Sequence, residues 1–225
     1  MKLLSFKHFL GLAFVSFLLT SCGGMAIRDT ATAEDKIKDS TTVFGDLTEN
    51  VPADLLSNAT AVLAIPNVKK LALFGLGGEA GVGILSRRNA GDEWSNPVFV
   101  NISSASAGLQ LGIQSTDLVL VIMDYGSIDD ILSGKFTLGA EGGVAAGPVG
   151  ADAAIDTNAK IYTYSRNSGL YAGIALEGLV LSVSDAANSV FYGREVDAAE
   201  VLQGDVNIAS SAAQNFRDTL SRVMR

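Results

Sequence analysis

Histidine and cysteine are almost missing from this chain, which has one of each in 225 residues, His8 and Cys22. A single thiol rules out any disulfide within the chain. His8 lies in a segment that reads as an export signal, so removal of that segment leaves no imidazole. Ser-His-Asp and Cys-His catalysis, His- or Cys-based zinc sites and haem with a histidine axial ligand are thereby excluded. Only carboxylate, lysine or tyrosine chemistry remains available.

Charge is also sparse, at 18% of residues, with 16 basic against 24 acidic. Without Lys2 and Lys7 of the leader the net charge is about −10, which repels polyanions and argues against nucleic acid as a partner. Aromatic residues make up 7%, while glycine occurs 24 times. That balance describes thin, closely packed strands rather than a helical bundle.

What the chain does have is apolar material, 48% of it, enough for one domain with a core. Part of it is the leader: Lys2 and Lys7 precede an apolar run from Phe9 to Leu19, too short to span a bilayer. Leu19-Thr20-Ser21-Cys22 follows and resembles the bacterial lipobox. That resemblance implies that Cys22 becomes the first mature residue and carries the acyl chains, palmitate among them. Two or more chains anchor stably where one is marginal. Gly23 in place of an aspartate implies the outer membrane, facing the periplasm. The expected organisation is a signal peptide over residues 1–21, a flexible tether over 22–35 and a single domain over 36–225.

Ile37, Phe44, Leu47 and Val51 recur at helical spacing, interrupted by Gly45. Pro52 can start a second helix carrying Leu55, Leu56, Ala59, Val62 and Leu63, with Pro66 ending it. After Lys69 and Lys70 the period becomes two, through "LALFGLGGEAGVGILSRR", "VFVNI" and "DLVLVIMD". "SIDDILSG" reads as a compact helix with Ser127 as N-cap and Gly134 at its end. A second strand set begins with "KFTLGAEGGVAAGPVGADA", where alternation and the Gly-Pro-Val-Gly turn predict a hairpin. Gly139, Glu141 and Gly143 would leave one face of it almost bare. Helical pattern returns from Asp185, and Ala213, Phe216, Leu220 and Val223 line one face near the C-terminus. The expected fold class is α+β: mostly antiparallel β-meanders packed with N-terminal and C-terminal helices.

The two strand sets echo each other, "GLQLGIQSTDLVL" from Gly108 against "GLYAGIALEGLVL" from Gly169, 61 residues apart. An ancient duplication of a meander would produce this. "GLGGEA" from Gly75 imitates a dinucleotide fingerprint, but the following "GVGILSRR" alternates as a strand instead of opening a helix. Asp129 with Asp130, Asp152 with Asp156, and Asp92 with Glu93 have no acid-base spacing and read as solvated charge. "DAAIDTN", residues 152–158, lacks the alternating calcium-ligand pattern, so no metal or other cofactor is expected.

"AIPNVKK", "GGEAGVGIL", "WSNPVFV", "SAGLQLGIQSTDLVLVI", "GPVGADA", "YTYSRNSGLYAGIALEG" and "NSVFYG", in this order, resemble the SYLF lipid-binding domain. The resemblance covers most of residues 51–193. It implies binding of membrane phospholipid and brings no catalytic residue set. It also implies an N-terminal amphipathic helix, roughly matched by residues 37–51, although that segment holds several acidic side chains. Candidate headgroup contacts are Lys69 and Lys70, at the "IPNVKK" position, and Arg87 and Arg88, at the end of the next strand; they act together only if they share a face. The resulting expectation is a non-enzymatic, lipid-anchored phospholipid binder of the bacterial envelope. The alternative is a scaffold lipoprotein whose partners are envelope proteins.

Overall fold

The computed structural model describes residues 27–73, 76–107, 112–140, 143–150, 156, 158–167, 170–171 and 178–225. Cys22, the leader, Glu141, Asp152 and the "GLQL" part of the echo lie outside the described residues.

Helix α1, Thr30–Thr48, starts inside the segment expected to be tether. Asp29 caps it, its carboxylate accepting from the Thr32 amide at 2.7 Å. Ala33, Ile37, Phe44 and Leu47 then fall on one buried stripe, and Ile27 ahead of the cap is buried too. Gly45 does not interrupt this helix, since it sits on the open side with nothing near its missing Cβ. Helix α2 is only Ala53–Ser57. Val62 and Leu63, expected on it, belong to strand β1, Ala61–Leu73. Residues 61–65 are fully buried, and an apolar run covered on both faces has no period by which to tell strand from helix. Pro66 falls where β1 shifts register against the neighbouring strand Gly112–Ile122, beside Asn67 at φ 56°, so its missing N–H interrupts a ladder that is already broken.

The remaining strands are β2 (Leu76–Arg87), β3 (Val98–Ala107), β4 (Gly112–Ile122), β5 (Phe136–Thr137), β6 (Val144–Ala146), β7 (Ile161–Asn167), β8 (Leu170–Tyr171) and β9 (Val180–Val183). The helices are α3 (Tyr125–Leu132), α4 (Asp185–Tyr192), α5 (Ala198–Gln203) and α6 (Ser211–Val223). The fold is α+β. One sheet runs β5-β9-β3-β2-β1-β4-β7-β6, with β8 beside β7. Its pairs are antiparallel except β6 with β7. The part of "GLGGEA" from Leu76 onward lies in β2 and opens no helix. Asp124, not Ser127, caps α3, and its carboxylate accepts from the Ser127 amide.

Residues 151–155, in the second arm of the expected hairpin, lie outside the described residues. The continuous strand expected over residues 136–146, ahead of the Gly-Pro-Val-Gly turn, does not form, because β5 and β6 lie at opposite edges of the sheet. Seven residue steps join them and can span at most about 25 Å, whereas eight flat strands would be about 33 Å wide. The sheet therefore curls until its edges approach. Gly139 and Gly143, at φ 81° and 73°, make the crossing in a left-handed backbone that strand alternation does not reveal. The second strand set thus flanks the first on both sides within one sheet. Leu118 and Leu120 of β4 and their echoes Leu179 and Leu181 at β9 nevertheless occupy the same core.

That inner core fills the curl and is plugged by Ile128 and Ile131 of α3 and by Val201 and Leu202 of α5. An outer core lies between the opposite face of the sheet and α1, α4 and α6. There Phe44 meets Phe216 edge to face, with ring centroids 6.5 Å apart. Ala213, Phe216 and Leu220 are buried as their spacing predicts.

Two phenols close the outer layer. Tyr164 lies over Gly147, where an added Cβ would come within 2.1 Å of the ring, and donates to the Pro148 carbonyl. Tyr192 donates to the Pro97 carbonyl at 2.9 Å. Burial pushes both hydroxyls well above the ordinary tyrosine range; Tyr162 adds to this at Tyr164, and Arg217 opposes it at Tyr192. A folded-state pKa above the unfolded value of about 10 gives stability that is intact below that pH and lost as pH rises past it. Urea midpoints should therefore hold to about pH 9 and fall above about pH 10, with a shallower fall in Tyr164→Phe; parallel profiles would contradict this.

Candidate functional site

Neighbouring residues of a strand point to opposite faces, and this separates the four candidate cations. Lys69 lies on the outer face, where its ammonium donates to Ser115 Oγ at 3.1 Å. Ser115 Oγ in turn donates to Asn67 Oδ1, and the Asn67 amide donates to Asp117. Arg166 of β7 joins Asp117 at 2.8 Å to Asp46 of α1 at 2.9 Å. Lys36 of α1 is close by: burial pushes its ammonium below the usual range and Lys69 adds to this, against the pull of Asp39 and Asp117.

Lys70 faces the inner side, in an ion pair with Glu79 at 2.7 Å. The pair lines a small cavity of about 50 Å³ with Val68, Leu118 and Leu179. Such a volume holds no acyl chain. Arg87 is seven residues beyond Ala80, the β2 partner of Lys69, or roughly 23 Å along the strand. The two basic pairs therefore form no single patch.

Arg88 serves the fold. Its guanidinium donates to the Ser57, Leu56 and Met224 carbonyls and lies over the Trp94 ring at 5.0 Å. One side chain thus ties the end of α2 to the C-terminus and to the loop after β2. Asp92, at 3.8 Å, is an exposed and weak partner.

Arg87 opens onto a polar cleft of about 440 Å³. Its walls are the loop after β2, with Asn89, Trp94 and Asn96, and the α5–α6 region, with Asn207 and Arg217. Ser86 and Ser95 brace the loop: Ser86 Oγ donates to the Ser95 carbonyl, and the Arg87 amide donates to Ser95 Oγ. Asn89 and Asn96 donate to the Leu202 and Val206 carbonyls at 3.0 and 2.8 Å, fixing the two walls together. Arg87 also lies 4.9 Å from the Tyr125 ring. Arg217 donates to Gln214. Among the described residues neither Arg87 nor Arg217 has a carboxylate in ion-pair range. Arg217 was not singled out from sequence because it falls on the polar side of an amphipathic helix, beside buried Phe216, where charge is ordinarily solvated.

The other candidates are not assembled into a site. Asp129 and Asp130 are exposed on α3, Asp92 and Glu93 are exposed in the loop, and the Asp156 carbonyl accepts from the Tyr162 hydroxyl. Among the described residues no group of three or more His, Cys, Asp or Glu side chains is placed to hold a metal. The apolar stripe of α1, the counterpart of an amphipathic membrane helix, is spent on the outer core. No described helix is long and apolar enough to cross a membrane.

The architecture is that of a small α+β domain: a curled sheet with two apolar cores and a polar cleft at the end of its central hairpin. The family model "Ysc84: Las17-binding protein actin regulator" matches residues 103–223. The chain is 33% identical over 162 residues to the SH3 domain-containing YSC84-like protein 1 of Xenopus laevis, covering 69% of this chain and 48% of that one. It is 32% identical over 187 residues to the LAS seventeen-binding protein 3 of Saccharomyces cerevisiae, covering 80% and 40%. Against the human YSC84-like protein 1 the identity is 32% over 160 residues, covering 69% and 46%. The chain belongs to the Ysc84, or SYLF, family, and matches less than half the length of each of these relatives.

Losing the Arg88 guanidinium strands three carbonyls, so Arg88→Gln should lower the unfolding free energy by about 2–4 kcal/mol, and Lys69→Gln by less than about 0.5. Urea denaturation of the two variants measures the difference; equal effects would refute the clamp.

Proposed function

We propose that this chain is a lipid-anchored bacterial envelope protein that binds membrane phospholipid non-enzymatically, on the periplasmic side of the outer membrane. One juxtaposition carries the proposal: an export-like segment ending in Leu19-Thr20-Ser21-Cys22, with the only cysteine of the chain, stands ahead of a region whose residues 103–223 match the Ysc84 family model. Ile27 is packed in the outer core five residues after Cys22, so an acylated Cys22 would hold the domain within about 18 Å of the bilayer. At that range, charged headgroups and a cationic cleft need no long search.

A scaffold role toward envelope proteins is the second reading. The name of the yeast relative, a LAS seventeen-binding protein, favours it, since that name describes a protein partner.

Full-length protein carrying Cys22→Ser, which removes the acylated thiol, separates the two by co-sedimentation with vesicles. Binding to phosphatidylglycerol vesicles should exceed binding to phosphatidylcholine vesicles at least 5-fold and weaken in 0.5 M salt. No preference for the anionic vesicles would overturn direct phospholipid binding and leave the scaffold role.

A further inference from the structure

The polar cleft carries a more specific assignment, one that rests on the phospholipid reading just given. Among the described residues, three buried polar atoms of side chains that line it have no hydrogen-bond partner: Arg87 Nε, Arg217 Nε and Asn96 Oδ1. An unpaired buried polar group forfeits its hydration without compensation, so natural folds keep few of them without a use. Here two are guanidinium donors with no carboxylate in ion-pair range among the described residues, and the third belongs to a side chain only 5% exposed.

We propose that the cleft binds a phosphate ester of a small polyol, with Arg87 and Arg217 taking the phosphate and Asn96 Oδ1 accepting from a polyol hydroxyl. Guanidinium groups match phosphate oxygens in geometry and charge. Glu93 at the rim is exposed and subtracts little. The volume of about 440 Å³ admits a headgroup of glycerophosphate size and not the acyl chains, which would remain in the bilayer. The donors are already held in place: the Asn89 and Asn96 amides pin the loop to the α5–α6 wall, and Gly204, at φ 94°, lets that wall turn close to Asn89.

Trp94 is the only tryptophan of the chain and lines this cleft, so its fluorescence reports occupancy. Full-length Cys22→Ser protein in nonionic detergent is titrated with sn-glycerol 3-phosphate, with glycerol and sulfate as controls, and then mixed with phosphatidylglycerol or phosphatidylcholine vesicles. A saturable change with glycerol phosphate, weakened at least 10-fold in Arg217→Gln and in Arg87→Gln but not in Lys135→Gln, supports the site. Circular dichroism and thermal midpoints verify folding, and Arg217→Lys, which keeps the charge but loses the fork, should bind with intermediate strength. If phosphatidylglycerol vesicles also displace glycerol phosphate, the occupant is a lipid headgroup. If glycerol phosphate binds and vesicles neither bind nor compete, the site stands with a soluble phosphate ester and the membrane reading falls. If vesicles bind the wild type and both arginine variants alike with no Trp94 response, the site is overturned while the membrane reading survives.

Discussion

Residues 61–65 of β1 and 118–122 of β4 are shut off from water on both faces, so the sheet they centre needs an apolar layer on each side. Burying each large aliphatic residue contributes about 1.5–3 kcal/mol, and half of that burial would be lost if either layer were missing. The curl supplies the inner layer from the sheet itself, with α3 and α5 as plugs; α1, α4 and α6 supply the outer one. The position of the candidate site residues follows from this. Side chains at mid-sheet are committed to packing, and polar groups are left to the strand ends, the loops and the rims of the helices.

The same requirement explains why part of the fold was legible and part was not. Strands with one polar side, such as residues 161–165, and the C-terminal helix with its Ala213, Phe216 and Leu220 stripe, announce themselves by period. β1 does not: its run through Val62 and Leu63 is apolar at every position, and Pro66 reads as a helix stop when it marks a bulge. The glycine stretch from Lys135 misled differently. Its alternation is real, but Gly139 and Gly143 turn the chain into a crossing between the two edges of the sheet, and no local pattern encodes which edges a crossing joins. The family resemblance, spread over several segments, was the most secure signal in the sequence.

The candidate cations show the limit of adjacency. Two consecutive basic residues look like a patch in one dimension, yet in a strand they part to opposite faces. Lys69 joins a polar network under α1, Lys70 pairs with Glu79 in the inner mouth, and Arg88 holds three chain segments together. Only Arg87 is left facing an open cleft, and its companion Arg217 comes from a helix 130 residues away in sequence. Charge that packing has already used is not free for a ligand, and this criterion, more than the count of basic residues, selects the cleft.

Amide hydrogen exchange of the Cys22→Ser chain, with and without phosphatidylglycerol vesicles, tests the account most directly. Slowed exchange is predicted around residues 87–96 and 203–217, with residues 61–70 of the twice-covered β1 unchanged. Protection confined to α1, or none in either cleft segment although vesicles are bound, would contradict it.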